Sequence, residues 1–355
     1  MLMTSSLTSD DMADDMADDI YACGTQASSF TELEATLTCD VLAMEQYCKN
    51  WCLIPKAAKT VSSVFHLHNA SASRELNVTL SGQRLRHDPN PEYLGITLDR
   101  SLTYRNHLSS LALKVKTRNN LLSRLAGSTW GARASTLRES ALSLSYSAAE
   151  YCAPVWARSA HTDLVDVQLN TAMRTISGTF RSTPLAWLPV LSNIAPPHVR
   201  REAATQTMLA KAEAAQHLPL HSDLFRHPPP RLKSRRPIWS TPPDHAFSTD
   251  ARWRAEWHGA GVANSSLVAD PTTRQPGFDL PRSHWTLLNR FRTGHGHCGV
   301  TEHRWGLRAS PDCSCGQRQT MLHIVEQCPL TRLEGGLRRL NCADEDATAW
   351  LGQVR

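Results

Sequence analysis

The stretch Met16-Ala17-Asp18-Asp19-Ile20-Tyr21-Ala22-Cys23 decides how the rest of this chain is read. Two adjacent carboxylates precede four residues that suit a short β-strand. Adjacent acids on a tight turn can hold hard divalent cations, which take oxygen ligands. Such a turn has to project from strands that fix its direction. Residues 20–23 can supply one, whereas residues 5–15 make a poor strand. Taken alone, the pair reads as the end of a solvated acidic run. Asp10, Asp11, Asp14, Asp15, Asp18 and Asp19 recur at an Asp-Asp-Met-Ala spacing, and like charges that close together repel.

Outward from that stretch, the pattern becomes regular. Ser29 and Glu32 have capping-box spacing. Phe30, Leu33, Leu37, Val41, Met44, Cys48 and Trp51 follow at steps of three and four, the mark of a helix with one buried stripe. Lys56 to Thr60 reads as a turn. Residues 61–68, 76–80 and 93–98 are β-prone, so the first hundred residues mix α and β. From Ser101 helices take over. Leu108, Leu111, Val115, Leu122 and Leu125 mark one that Gly127 stops, and further helices are expected over about 135–152, 162–176 and 196–216. Pro228-Pro229-Pro230, Pro237 and Pro242-Pro243 preclude regular structure through much of residues 217–282. Arg226, Arg231, Lys233, Arg235 and Arg236 make that stretch basic, and it reads as a solvated linker in preference to a nuclear-targeting signal or a nucleic-acid contact. The expected division is 1–100, 101–216, 217–282 and 283–355, within an α+β class.

Composition limits the functional classes. The chain has 355 residues, 41% hydrophobic and 20% charged, which suits folded domains rather than a disordered chain. No run approaches the roughly 18 apolar residues of a membrane span, so no membrane partner is expected. The opening MLMTSSLTSDDMADD lacks a basic n-region and an apolar h-region, so an intracellular protein, nuclear or cytoplasmic and not secreted, is expected. The net charge of +5 conceals an acidic head and a basic body: residues 1–50 hold ten acids and one base, and the remainder 23 acids and 37 bases. Residues 101–138 hold Arg105, Lys114, Lys116, Arg118, Arg124, Arg133 and Arg138 with no acid at all, which suits phosphate contact as well as a solvated basic face.

Three of the ten cysteines crowd near the end. Cys313-Ser314-Cys315, then His323, then Cys328 offer three thiolates and an imidazole, a closed tetrahedral shell for Zn²⁺. Gly316 permits the turn a knuckle needs, and Pro329 stops the helical turn behind His323. The alternative is four unrelated residues in a thiol-rich chain. His295, His297, Cys298 and His303 lie upstream, where packing or RNA contact is expected before a second metal. The mix of Trp285, Arg290, Phe291, Arg292 and Trp305 suits stacking on single-stranded bases, although tryptophans more often sit in cores.

As an ordered set, these motifs resemble the reverse transcriptase of jockey-like non-LTR retrotransposons. The family's Ala-Asp-Asp box is matched at Met16-Ala17-Asp18-Asp19, with methionine where an aromatic is usual. The family's next box, Trp-x-Leu leading to Asn-Pro-x-Lys-Thr, is matched at Trp51, Leu53, Lys59 and Thr60 without the Asn-Pro directly before them. The primer-grip Tyr-Leu-Gly is matched at Tyr93-Leu94-Gly95, and the likeness continues through Ala149-Glu150-Tyr151-Cys152-Ala153-Pro154-Val155-Trp156 into the Cys/His tail. The resemblance implies an incomplete right-hand polymerase palm, a helical thumb and a small zinc-knuckle-like tail. It implies Mg²⁺ at Asp18 and Asp19 and a proton-donating role for Lys59. It implies an RNA template and a DNA primer as partners, with Arg105, Lys114, Lys116, Arg118 and Arg124 against nucleic acid. The fingers and a third palm aspartate of the family would precede residue 1, so this chain is expected not to polymerise DNA alone. Two rivals stand beside that reading: a non-catalytic binding module, and an unstable pseudogene product.

Overall fold

The computed structural model describes residues 27–66, 68–127, 129–217, 221–222, 224 and 243–354, together with the backbone of Leu2–Thr8 and Asp19–Cys23. Asp18, the Asp19 side chain and the proline-rich part of the expected linker therefore lie outside the described residues. The described residues divide into two compact units. One holds those up to Ser110 with Arg158–His161 and the few after Ser222; the other holds those from Leu111 to Ala157, Thr162 to His221 and 243 onward.

The first unit is a small sheet backed by one long helix. Its strands are β1 (Leu2–Thr8), β2 (Asp19–Cys23), β3 (Ile54–Pro55), β4 (Val61–Ser63), β5 (Thr79–Leu80), β6 (Gln83–Arg84), β7 (Arg86–His87), β8 (Glu92–Tyr93) and β9 (Ile96–Thr97). The main sheet runs β2-β1-β4-β7, with β3 also on β1. Its pairs are antiparallel except β4 with β7. The partner of β2 is residues 2–8, so residues 5–8 of the stretch read as a poor strand do pair, in a register that sets Leu7 opposite Asp19 and Met3 opposite Cys23.

The helix Phe30–Asn50 starts as its sequence predicts, with Ser28 as an added partner. The Ser29 hydroxyl accepts the Glu32 N–H (3.2 Å), and the Glu32 carboxylate reaches back chiefly to the hydroxyl and N–H of Ser28, with the Ser29 N–H as a lesser donor. Leu33, Leu37 and Val41 bury against Val64, Leu76, Val78, Leu80 and Leu85. Trp51 departs from the expected stripe. It caps the helix and stands 67% exposed beside Tyr47, because the chain turns away before a further buried position is reached.

Two hairpins replace the longer strands expected over 76–80 and 93–98. Both turn on two residues with positive φ: Ser81-Gly82 (+49°, +77°) between β5 and β6, and Leu94-Gly95 (+47°, +77°) between β8 and β9. That conformation matches the right-handed twist of the flanking strands, and glycine adopts it without a Cβ clash. Just after β9, Asp99 caps the next turn. It accepts from the Ser101 N–H (3.2 Å), the Thr103 N–H (2.9 Å) and the Thr103 hydroxyl (2.9 Å).

Helices follow at Arg105–Ser123, Ala134–Ala141, Asp163–Ser177, Trp187–Ser192 and Pro197–Ala214. Gly178, at φ +69°, ends the third of these, and Pro197 sits in the first turn of the last. The helix expected over 135–152 passes through a π-turn at Leu142–Tyr146, where the buried Ser145 hydroxyl bonds the Asn119 side chain (2.8 Å). Within the stretch expected as a linker, Thr249–Gly259 is helical. Trp253 and Trp257, one turn apart, pack against Trp187, Val190 and Leu191, with Trp257 and Trp187 edge to face at 4.9 Å. No proline falls between Pro243 and Pro271, and that gap with the paired tryptophans was the available signal for the helix. Among the described residues no helix is long and apolar enough to cross a membrane.

Candidate metal centre and nucleic-acid surface

The C-terminal cysteines and histidine meet. Cys313 and Cys315 sit on a tight turn closed by the Gly316 N–H to the Cys313 carbonyl (2.9 Å) and the Cys313 N–H to the Gln317 carbonyl (2.7 Å). Gly316 takes φ +86°. His323 opens a π-turn, His323–Gln327, and Cys328 follows it with its N–H on the His323 carbonyl (2.8 Å). One ligand atom from each of the four residues lies within 4.8 Å of all the others.

The spacing fits a zinc shell. Tetrahedral zinc with Zn–S of about 2.3 Å and Zn–N of about 2.0 Å sets two sulfurs about 3.8 Å apart and a sulfur and nitrogen about 3.5 Å apart. The Cys313 and Cys328 sulfurs are 3.7 Å apart, and the Cys315 sulfur is 3.3 Å from His323 Nε2. The Cys315 N–H beside the Cys313 sulfur, aided by His323 and Cys328, holds that thiol down at about 6 against the opposing effect of burial. The Thr331 hydroxyl chiefly lowers the Cys328 thiol. Thiolates are the zinc-binding form. Four protein ligands leave no open position for substrate, so Cys313, Cys315, His323 and Cys328 would hold zinc as a structural ion.

The histidines upstream go separate ways. His295 Nδ1 meets the Ser182 hydroxyl (3.2 Å), His297 faces Glu302 (3.5 Å) and His303 meets the Arg308 carbonyl (3.1 Å). Among the described residues, Cys313, Cys315, His323 and Cys328 are the group placed to take a metal.

The helix Arg282–Thr293 carries much of the expected stacking mix, and most of it is structural. Trp285, Phe291 and Arg292 are buried, so they are corrected from nucleic-acid contacts to core. Arg292 is fully enclosed and donates to the Pro276 and Asn341 carbonyls (2.7 and 2.9 Å), and burial pushes its guanidinium down to about 9. Arg282, Trp285 and Asn289 share one face and receive the end of the Asp163–Ser177 helix. Arg282 donates to the carbonyls of Thr175 and Ile176 (both 2.6 Å), Trp285 Nε1 to Ile176 (3.1 Å) and Asn289 Nδ2 to Ser177 (2.9 Å). The last carbonyls of a helix lack intrahelical donors, and these side chains supply them. Sequence reasoning missed this role because the partners are more than a hundred residues away.

The basic residues of 105–124 are placed for solvent. Leu108, Leu111, Val115 and Leu122 form the buried stripe of Arg105–Ser123. At helical spacing Lys114 and Arg118 fall on one flank of that stripe and Arg105 and Lys116 on the other. Arg105, Lys114, Lys116 and Arg124 are exposed, while the Arg118 guanidinium is engaged by the Leu144 carbonyl. Lys59 is exposed at the end of the short turn Ala57–Lys59, and Thr60 behind it is buried with its hydroxyl on the Lys56 carbonyl (3.0 Å).

Fold and site together define an α+β protein with a Cys/His group that could hold zinc. Set beside known proteins, the chain is 33% identical over 76 residues to the RNA-directed DNA polymerase from mobile element jockey of Drosophila melanogaster. That match covers 21% of this chain and 8% of that protein, so the chain spans a small part of its relative, and the likeness to a reverse transcriptase is partial. No family model and no solved structure matches.

Proposed function

We propose that this chain is part of a reverse transcriptase of the non-LTR retrotransposon kind, and that by itself it holds nucleic acid without polymerising it. The observation that carries the reading is the 76-residue similarity to the jockey polymerase. The exposed, acid-free set Arg105, Lys114, Lys116 and Arg124 supports it, because such side chains release counterions from a phosphate backbone without reading sequence. An RNA–DNA hybrid is the expected partner. Asp18 and Asp19 would contribute to a Mg²⁺ site and Lys59 would face the leaving pyrophosphate. In-line displacement needs two ions held about 4 Å apart, and residues 1–355 offer no motif for the third carboxylate that holds them in this family.

Titration of a hybrid across salt concentrations tests binding. Affinity should fall steeply with salt, and the double variant Lys114→Ala/Lys116→Ala should bind more weakly with a log–log slope shallower by about 2. Affinity indifferent to salt and to this variant would refute the reading. Primer extension with Mg²⁺ or Mn²⁺ should give no product; incorporation abolished by Asp18→Ala would overturn the proposed inactivity.

A further inference from the structure

A cleft of about 910 Å³ lies between the Arg282–Thr293 helix and the segment that carries His323 and Cys328. Arg290 lines it from the helix and Arg332 from the segment beyond the Cys/His group. Among the described residues neither guanidinium has a hydrogen-bond or ion-pair partner, and Arg290 Nε is buried unpartnered. This sets Arg290 apart from Arg282 and Arg292 on the same helix, which are satisfied by carbonyls. Thr286 lines the cleft one turn before Arg290, and its hydroxyl is likewise buried without a partner. Glu302, the acid that lines the cleft, faces His297 (3.5 Å) and forms no ion pair with either arginine. A desolvated cation with no counter-ion is costly unless an anion arrives to meet it.

From His297, which lines the cleft, ring contacts lead outward to Phe180 and Trp305. His297, Phe180 and Trp305 form an edge-to-face triad with centroids 5.2, 5.4 and 5.6 Å apart. The Arg290 guanidinium lies over the Phe180 ring, 4.4 Å from its centroid. Trp305, which caps the short helix Gly299–Arg304, is 44% exposed. An anion site two ring contacts from a bare indole matches the two parts of a nucleotide: a phosphodiester, and a base that stacks.

We propose that this cleft takes one nucleotide of a single-stranded nucleic acid, its phosphodiester against Arg290 and Arg332 and its base against Trp305. The proposal rests on the nucleic-acid reading above and adds a place and a strand type to it. Ile324 and Leu330 to Arg332, which flank His323 and Cys328 in the chain, line one side of the cleft, so an ion in the Cys/His group would steady that side.

The test is fluorescence anisotropy of the full chain with a labelled oligothymidylate and with an abasic phosphodiester strand of equal length. The parent should prefer the thymidylate by about tenfold, within the range expected for one stacked base. Trp305→Ala should erase that preference and leave the abasic strand bound as before. Arg290→Gln should weaken both strands; because Arg290 is half-buried, Arg332→Gln at an exposed position repeats this arm, and thermal melts confirm that each variant is folded. Lys114→Ala/Lys116→Ala should weaken both strands with the preference intact. A parent without the preference, or a Trp305→Ala variant that keeps it, overturns the proposal while leaving the broader nucleic-acid reading standing. Failure of the parent to bind any strand overturns both.

Discussion

At the scale of single residues, the sequence motifs turn out to combine chemistry with local architecture. Asp99, which follows the Tyr-Leu-Gly motif, works as a turn cap. Burial pushes its carboxyl up, but the N–H and hydroxyl donors of Thr103 and the N–H of Ser101 outweigh that and hold it below the usual carboxylate range. A carboxyl depressed in the folded state contributes stability that is complete above its unfolded value of about 4 and is lost as pH falls through the folded value. Asp99→Asn should therefore destabilise the first unit by about 1.5–3 kcal/mol at neutral pH, the scale of hydrogen bonds to a charged group. The gap to the parent should close in acid. Denaturant titrations at neutral pH and near pH 2 measure this, and a gap independent of pH would refute it. The Cys/His group that could hold zinc was legible in sequence because all four residues lie within sixteen positions. Arg282 and Arg292 were not legible. An arginine in a basic tail looks solvated until the distant carbonyls it satisfies are placed beside it.

At the scale of elements, helices were easier to read than strands. The stripe from Phe30 to Cys48, Gly178 as a C-cap and Pro197 in a first turn all operate within a turn or two of chain, so local spacing carries them. Strands of two or three residues leave too few positions for alternation to register. The sheet also pairs β1 with β2, β3 and β4, which local patterning cannot specify. The hairpin loop at Leu94-Gly95 holds a leucine at φ +47°, a conformation in which a Cβ costs about 1–2 kcal/mol. Asparagine tolerates it better. Leu94→Asn should raise the stability of the first unit by about 1 kcal/mol, read as a higher urea midpoint with an unchanged slope. A lower midpoint would mean that the exposed Leu94 side chain contributes more than its backbone costs.

At the scale of the whole molecule, the second unit gathers segments that composition had separated. The helix Thr249–Gly259 buries Trp253 and Trp257 against residues near 190, and the tail reaches back to residues 175–177. Stripping metal with a chelator should lower the melting temperature of this unit by roughly 10 °C, since a few kcal/mol corresponds to about 2–4 °C each in a unit of this size. Zinc analysis of protein purified without chelator should give one ion per chain, and Cys313→Ser should abolish it. Protein that lacks the ion and melts unchanged after chelation would rule out a structural metal. The order of synthesis gives the tail a further meaning. Ile176 leaves the ribosome 106 residues before Arg282, the side chain that receives its carbonyl. At elongation rates of about 5–20 residues per second, the Asp163–Ser177 helix waits roughly 5–20 s with its end unsheltered. A nascent chain stalled inside that interval would present the bare helix terminus to chaperones and proteases, so the timing of translation bears on how much of this protein survives to fold.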